Sequence, residues 1–128
     1  MIYVDSSVLL ADLFSEPRSP PEALWDEDLA SSQLLAYEVW SRIYAYGSTA
    51  SHADQARALL IRVSLTEMSA RVLARALQPF PIALRTLDAL HLATMDFLRQ
   101  RGEQVELASY DDRMLAGARA LGIALVDV

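Results

Sequence analysis

The sequence predicts an α/β fold with a mostly parallel sheet covered by helices on both faces. Two observations carry this. Short apolar segments such as "MIYV" and "IALVDV" alternate with segments whose apolar residues recur at helical spacing along the 128 residues. Glycine and proline punctuate the joints between them.

The elements follow in order. "MIYV" (1–4) is a strand ending at Asp5, and "SSVLLADLF" continues with helical spacing behind a capping serine. Pro17, Pro20 and Pro21 break that helix, and Pro21 opens a short second one through about Glu27. "LASSQLL" (29–35) is apolar enough for a second strand, and "AYEVWSRIYAY" is a helix stopped at Gly47. "SHADQARALLI" makes a further helix with Ser51 as its candidate cap, and "RVSLTEM" (62–68) a third strand. "SARVLARAL" is helical up to the loop "QPFP". "LRTLDALHLATMDFLRQRG" is the longest amphipathic helix and ends at Gly102. "VELAS", "DDRMLAGARALG" and "IALVDV" complete the chain as strand, helix and strand. No repeat or linker interrupts the pattern, so one domain over 1–128 is expected.

Composition excludes several kinds of chemistry. There is no cysteine, which removes disulfides, thiolate nucleophiles and Cys-ligated metals and fits a reducing compartment. All 11 basic residues are Arg, so Schiff-base and lysine-base mechanisms are absent. The 4 glycines, at 47, 102, 117 and 122, form no phosphate-binding glycine loop. With no long apolar run and no basic, apolar leader at "MIYVDSS", the expectation is a cytoplasmic protein without a membrane segment. The net charge of -6 argues against nonspecific binding of polyanions.

The acids carry the functional signal. Asp5 and Asp111 each follow a strand, at the sheet edge where sites of parallel α/β folds form. Taken singly, each is most simply a helix cap or a first-turn charge. Glu38 lies beside the apolar positions Leu34, Leu35, Val39 and Ile43, and Asp88 lies among Leu84, Leu87, Leu92, Met95 and Leu98. A carboxylate there needs a partner. The plainer partners are Arg42 for Glu38, and Arg85 or His91 for Asp88. Converging carboxylates repel one another unless a hard divalent cation such as Mg²⁺ sits among them, and that kind of site suits phosphoryl transfer.

These residues resemble the PIN-domain nucleases, in particular the VapC-type ribonuclease toxins. "IYVDSSVLL" is similar to the opening motif of that family, "YEVWS" to its second acidic position, "LRTLDALHLAT" to its third motif and "SYDDRMLAGARALGI" to its fourth. The resemblance implies a five-stranded parallel sheet of order 3-2-1-4-5 in a three-layer α/β/α fold. It implies a catalytic metal site of Asp5, Glu38, Asp88 and Asp111, with Ser7 and Ser109 as supporting hydroxyls and Asp112 as an additional candidate ligand. It implies Mg²⁺- or Mn²⁺-dependent endoribonuclease activity by hydrolysis, a homodimer, and a cognate antitoxin that inhibits the toxin. Part of the negative charge is then the metal site itself, and Arg85, Arg113 and Arg119 are candidate RNA contacts by position.

Other residues have plainer roles. His91 is read as a core histidine ahead of a metal ligand paired with Asp88. Trp25, Trp40 and Phe97 are read as core or dimer contacts, and Tyr110 as a candidate base-stacking ring. A receiver domain needs a lysine, which the chain lacks, and a haloacid-dehalogenase-like phosphatase needs DxD after its first strand, where this chain has Asp5, Ser6 and Ser7. The competing readings are a processing or repair nuclease of the same family and a non-catalytic binding module of the same fold.

Overall fold

The computed structural model describes residues 1–128. Its sheet comprises β1 (Ile2–Val4), β2 (Leu29–Ser32), β3 (Val63–Thr66), β4 (Glu106–Ala108) and β5 (Ala124–Leu125). The order is β3-β2-β1-β4-β5 and every neighbouring pair is parallel. The helices are α1 (Ser6–Leu13), α2 (Gln33–Ala45), α3 (Thr49–Leu60), α4 (Ala70–Ala76), α5 (Thr86–Gln100) and α6 (Asp112–Ala120).

The central strands β1, β2 and β4 are buried on both sides, so alternate residues serve two cores. Val4, Leu29 and Ala108 join one core with Val8, Leu9, Leu35, Val39, Ala56 and Leu59, which places α1, α2 and α3 on that face. Tyr3, Ala30 and Leu107 join the other with Leu92, Met95, Met114 and Ala118 from α5 and α6. Helix α4 packs on α5. The chain leaves β1 toward β2 on one side and returns to β4 on the other. The strand order therefore reverses at β1, and a cleft opens at the carboxyl ends of β1 and β4.

Several boundaries differ from the sequence expectation. The second strand stops at Ser32 instead of running to Leu35, because the Ser32 hydroxyl accepts from the Leu34 N–H at 3.1 Å and starts α2 there. That earlier start puts Leu35, Val39 and Ile43 in the core and Glu38 at its edge. The next helix starts at Thr49 behind Ser48; Ser51 is already inside it, its hydroxyl donating to the Ser48 carbonyl. The segment opened by Pro21 is a single 3-10 helix, Glu22–Asp26. The third strand is confined to Val63–Thr66 and the fifth to two residues. Gly47 ends α2 as expected: its φ of 61° is easily reached only without a side chain, and it lets the Ser48 N–H close on the Ile43 carbonyl.

Candidate active site

Asp5 is 4% exposed and stands where β1 meets α1. Its N–H continues the sheet ladder to the Ala108 carbonyl. Although it occupies the N-cap position, its side chain accepts no bond from the helix backbone. The carboxylate is held instead by hydroxyls: Ser7 Oγ donates to Oδ2 at 2.9 Å and Ser109 Oγ donates to the same oxygen at 2.7 Å. Both hydroxyls also accept from the strand-end loop after β4, Ser7 from the Tyr110 N–H and Ser109 from the Asp111 N–H, each at 2.9 Å. The two serines thus fasten the β1 and β4 edges together around one carboxylate.

Glu38 points into the same cleft from α2. The expected pairing with Arg42 does not form. Glu38 Oε2 accepts from Ser6 Oγ at 2.8 Å, and Oε1 meets His91 Nε2 at 2.5 Å. A histidine from α5 on the opposite layer therefore displaces the local helix partner. Asp5, Glu38 and His91 each offer one ligand atom, and these atoms lie within 4.8 Å of one another.

Asp88 enters from the first turn of α5 and is buried, while Asp111 sits at the N-cap of α6. Both line the cleft with Asp5 and Glu38. One Asp111 oxygen, Oδ1, caps α6 by accepting from the Arg113 N–H at 2.9 Å. The cap reading of that residue thus holds for one of its two oxygens. Asp88 Oδ2 is buried with no hydrogen-bond partner. Burial, then the Asp111 carboxylate, and further Asp5 push the Asp88 carboxyl above its usual range, against the Arg85 backbone and His91, which pull it down. No Arg in the chain forms an ion pair with any of the four cleft acids. An orphaned, buried carboxylate oxygen amid like charges is what a bound hard cation resolves, so the donor set fits a divalent ion with oxygen ligands.

Arg42, Arg85 and Arg113 line the cleft and are exposed, whereas Arg119 and Asp112 lie outside it. The sequence offers Arg42 only as a local partner for Glu38, one turn along the same helix. Ser6 and Tyr3, which reach Glu38 directly and through His91, carry a weaker signal, a hydroxyl beside the first acid and a phenol in an otherwise aliphatic strand. Tyr110 does not line the cleft. Its ring is covered by the Arg18 guanidinium, 4.5 Å from the ring centroid, which removes that face as a stacking platform. Trp25 is a core residue as expected.

A parallel α/β sheet with four carboxylates lining one cleft at its switch point, under a rim of arginines, defines an α/β protein with an acidic cleft whose donors fit a divalent cation. The comparisons identify its family. The PIN domain model matches residues 2–120. Ribonuclease VapC47 of Mycobacterium tuberculosis (strain CDC 1551 / Oshkosh) is 33% identical over 129 residues, covering 95% of this chain and 93% of that protein. Ribonuclease VapC46 of Mycobacterium tuberculosis (strain ATCC 25618 / H37Rv) is 35% identical over 128 residues, covering 98% of this chain and 95% of that one. A solved structure described as a toxin-antitoxin complex from Klebsiella pneumoniae shares the fold with a TM-score of 0.70 at 23% identity, over 99% of this chain and 97% of that chain. The chain belongs to the PIN-domain family, in its VapC-type ribonuclease branch.

Proposed function

We propose that the protein is a Mg²⁺- or Mn²⁺-dependent endoribonuclease and the toxin of a toxin-antitoxin pair, with Asp5, Glu38, Asp88 and Asp111 as its catalytic acids. The observation that carries the reading is their convergence in one cleft, with a buried Asp88 oxygen left unpartnered. The membership of the chain in a branch whose relatives are named ribonucleases gives the substrate class.

In this reading the four carboxylates hold the cation. The bound ion supplies a Lewis acid, which lowers the pKa of water and neutralises charge on the scissile phosphate. The chain does the rest. Ser7 and Ser109 orient Asp5 by donating to one of its oxygens, and the Asp111 cap fixes the end of α6 so that Oδ2 is left for the site. Arg42, Arg85 and Arg113 at the rim contact RNA phosphates flanking the cut and offset the acidic surface. The products are a 5′-phosphate and a 3′-hydroxyl.

The partner is a cognate antitoxin, a class of partner supported by the toxin-antitoxin assembly of the Klebsiella relative. The working unit is a single domain over 1–128 that forms a homodimer and acts in the cytoplasm. No helix is long and apolar enough to cross a membrane. The test is cleavage of total RNA by the purified protein with Mg²⁺ or Mn²⁺, followed by mapping of the new ends. Activity lost in EDTA and in Asp5→Asn supports the assignment, and full activity in either overturns it.

A further inference from the structure

The cleft contains a histidine that the four-acid reading leaves without a task. His91 is 1% exposed, and both of its ring nitrogens are engaged. Nε2 faces Glu38 Oε1 at 2.5 Å, and Nδ1 faces Tyr3 Oη at 2.7 Å. Behind it, Tyr3 is fully buried, and its oxygen accepts from the Ser32 N–H at 3.1 Å. On the far side, the second Glu38 oxygen accepts from Ser6. The line runs from the carboxyl end of β2 through a β1 tyrosine and an α5 histidine to an α2 carboxylate, so it ties both helical layers to the sheet.

Proton positions along the line follow from chemistry. An ionised Glu38 can only accept, so the proton between it and the ring belongs to Nε2. A neutral imidazole then has its lone pair on Nδ1, and the Tyr3 hydroxyl donates to it while accepting from Ser32. The Ser32 N–H already occupies the Tyr3 oxygen as an acceptor, so the phenol proton is free to point at the ring. His91 consequently has no lone pair to give to a cation, although it lies as near to Asp5 and Glu38 as a ligand would. Buried N–H groups that donate to a ligating carboxylate fix its rotamer and tune its affinity.

We infer that Tyr3 and His91 form a buried relay whose terminal N–H fixes the Glu38 carboxylate in the cleft, which makes His91 a positioning residue and not a cation ligand. The inference rests on the proposed role of Glu38 in holding the ion. It is tested on the full chain without RNA, by titrating Mn²⁺ alone in a calorimeter. His91→Ala is expected to weaken binding about 10- to 100-fold, and Tyr3→Phe, which removes a single hydroxyl, by roughly 3-fold or more. His91→Gln, whose side-chain N–H can still reach Glu38, recovers part of the loss. In a Glu38→Ala background, His91→Ala causes no further loss. An equal loss in that background makes His91 a ligand and overturns the relay, as does unchanged binding in His91→Ala when Glu38→Ala is impaired. Unchanged binding in Glu38→Ala removes the role of Glu38 itself, and the relay with it. Long-range ¹H–¹⁵N spectra of the metal-free wild type need no variant: a proton on Nε2 with Nδ1 bare is expected, and the reverse tautomer overturns the inference.

Discussion

Ser109 Oγ donates to Asp5 Oδ2 at 2.7 Å while accepting the Asp111 N–H, so a single hydroxyl joins two of the cleft acids across the β1–β4 edge. Ser109→Ala strips a buried carboxylate of one of its donors and leaves the part-buried Asp111 N–H without its acceptor. The loss expected is about 1–3 kcal/mol of stability and on the order of 10-fold in Mn²⁺ affinity. Ser7→Ala alone leaves Ser109 in place, so the double variant is expected to lose more than the two single losses combined. Thermal unfolding and Mn²⁺ calorimetry on the three proteins check this, and simple additivity would show that the hydroxyls act independently.

Asp88 works against the stability of the metal-free protein. Its carboxyl is held above the ordinary 3.8 by burial and by Asp111, so the folded state binds its proton more tightly than the unfolded chain does. Stability therefore falls as pH rises from 3.8 through the raised value, and the full penalty is present above that window. Asp88→Asn lifts the penalty. In EDTA at neutral pH the variant is expected to be more stable than wild type by on the order of 1 kcal/mol. That advantage shrinks as pH is lowered through the window, and RNA cleavage falls by more than about 100-fold. A variant less stable than wild type throughout would show that Asp88 has a stabilising partner.

The adjacent acids Asp111 and Asp112 separate by position. Asp111 caps α6 with one oxygen and lines the cleft, whereas Asp112 is exposed in the first turn, where its charge meets the positive end of the helix dipole. Asp111→Asn preserves the cap, since Asn and Asp cap about equally well, and removes the charge. It is expected to change stability by less than about 0.5 kcal/mol while reducing Mn²⁺ affinity at least 10-fold. Asp112→Asn is expected to leave affinity within about 2-fold of wild type. A larger loss for Asp112→Asn would exchange the two roles.

Gly117 marks the closest approach of α6 to α5. A methyl group there would overlap the Leu92 side chain, which is fully buried, and crowd Leu84. In an exposed helix, Gly→Ala stabilises by about 1 kcal/mol. Here overpacking, at about 1–3 kcal/mol, is expected to win, because Leu92 is itself fully buried in the core it shares with Met114 and Ala118. Gly117→Ala should therefore lower the unfolding midpoint, and the same substitution should cost less in a Leu92→Ala background, where the clash is gone.

The alternation of strands and helices was legible because the strands fall in short, largely apolar or β-branched runs and the helices in segments with apolar residues at helical spacing, and no tertiary contact has to be known to see that. The placement of Asp5 and Asp111 after strands at the carboxyl edge of the sheet was legible for a related reason, whereas the joining of Glu38 and Asp88 to them was legible only through the likeness of the motifs to the PIN family. Partner choice was not legible. Arg42 is one turn from Glu38 and is the favoured local partner, yet His91, 53 residues away, takes its place. An exposed arginine held on a helix gains little from such a pair, whereas a buried imidazole must spend its N–H on an acceptor. The end of the second strand was misread because "QLL" is as apolar as a strand, and the Ser32 cap that starts the helix is a single hydrogen bond.

The arginines divide by the same edge geometry. Arg42, Arg85 and Arg113 reach the cleft from α2, the α5 cap and α6, while Arg119, two turns further along α6, does not. Each phosphate neutralised on a single strand contributes about 0.7 to the slope of log affinity against log salt. Arg42→Ala, Arg85→Ala and Arg113→Ala should each flatten that slope by about this amount and weaken binding at low salt, and Arg119→Ala should leave both unchanged. The measurement is RNA binding across a salt series in EDTA, so that cleavage does not intervene. A flattened slope for Arg119→Ala would extend the RNA path along α6 beyond the cleft, and an unchanged slope for the triple variant would remove arginine contacts from the mode of binding.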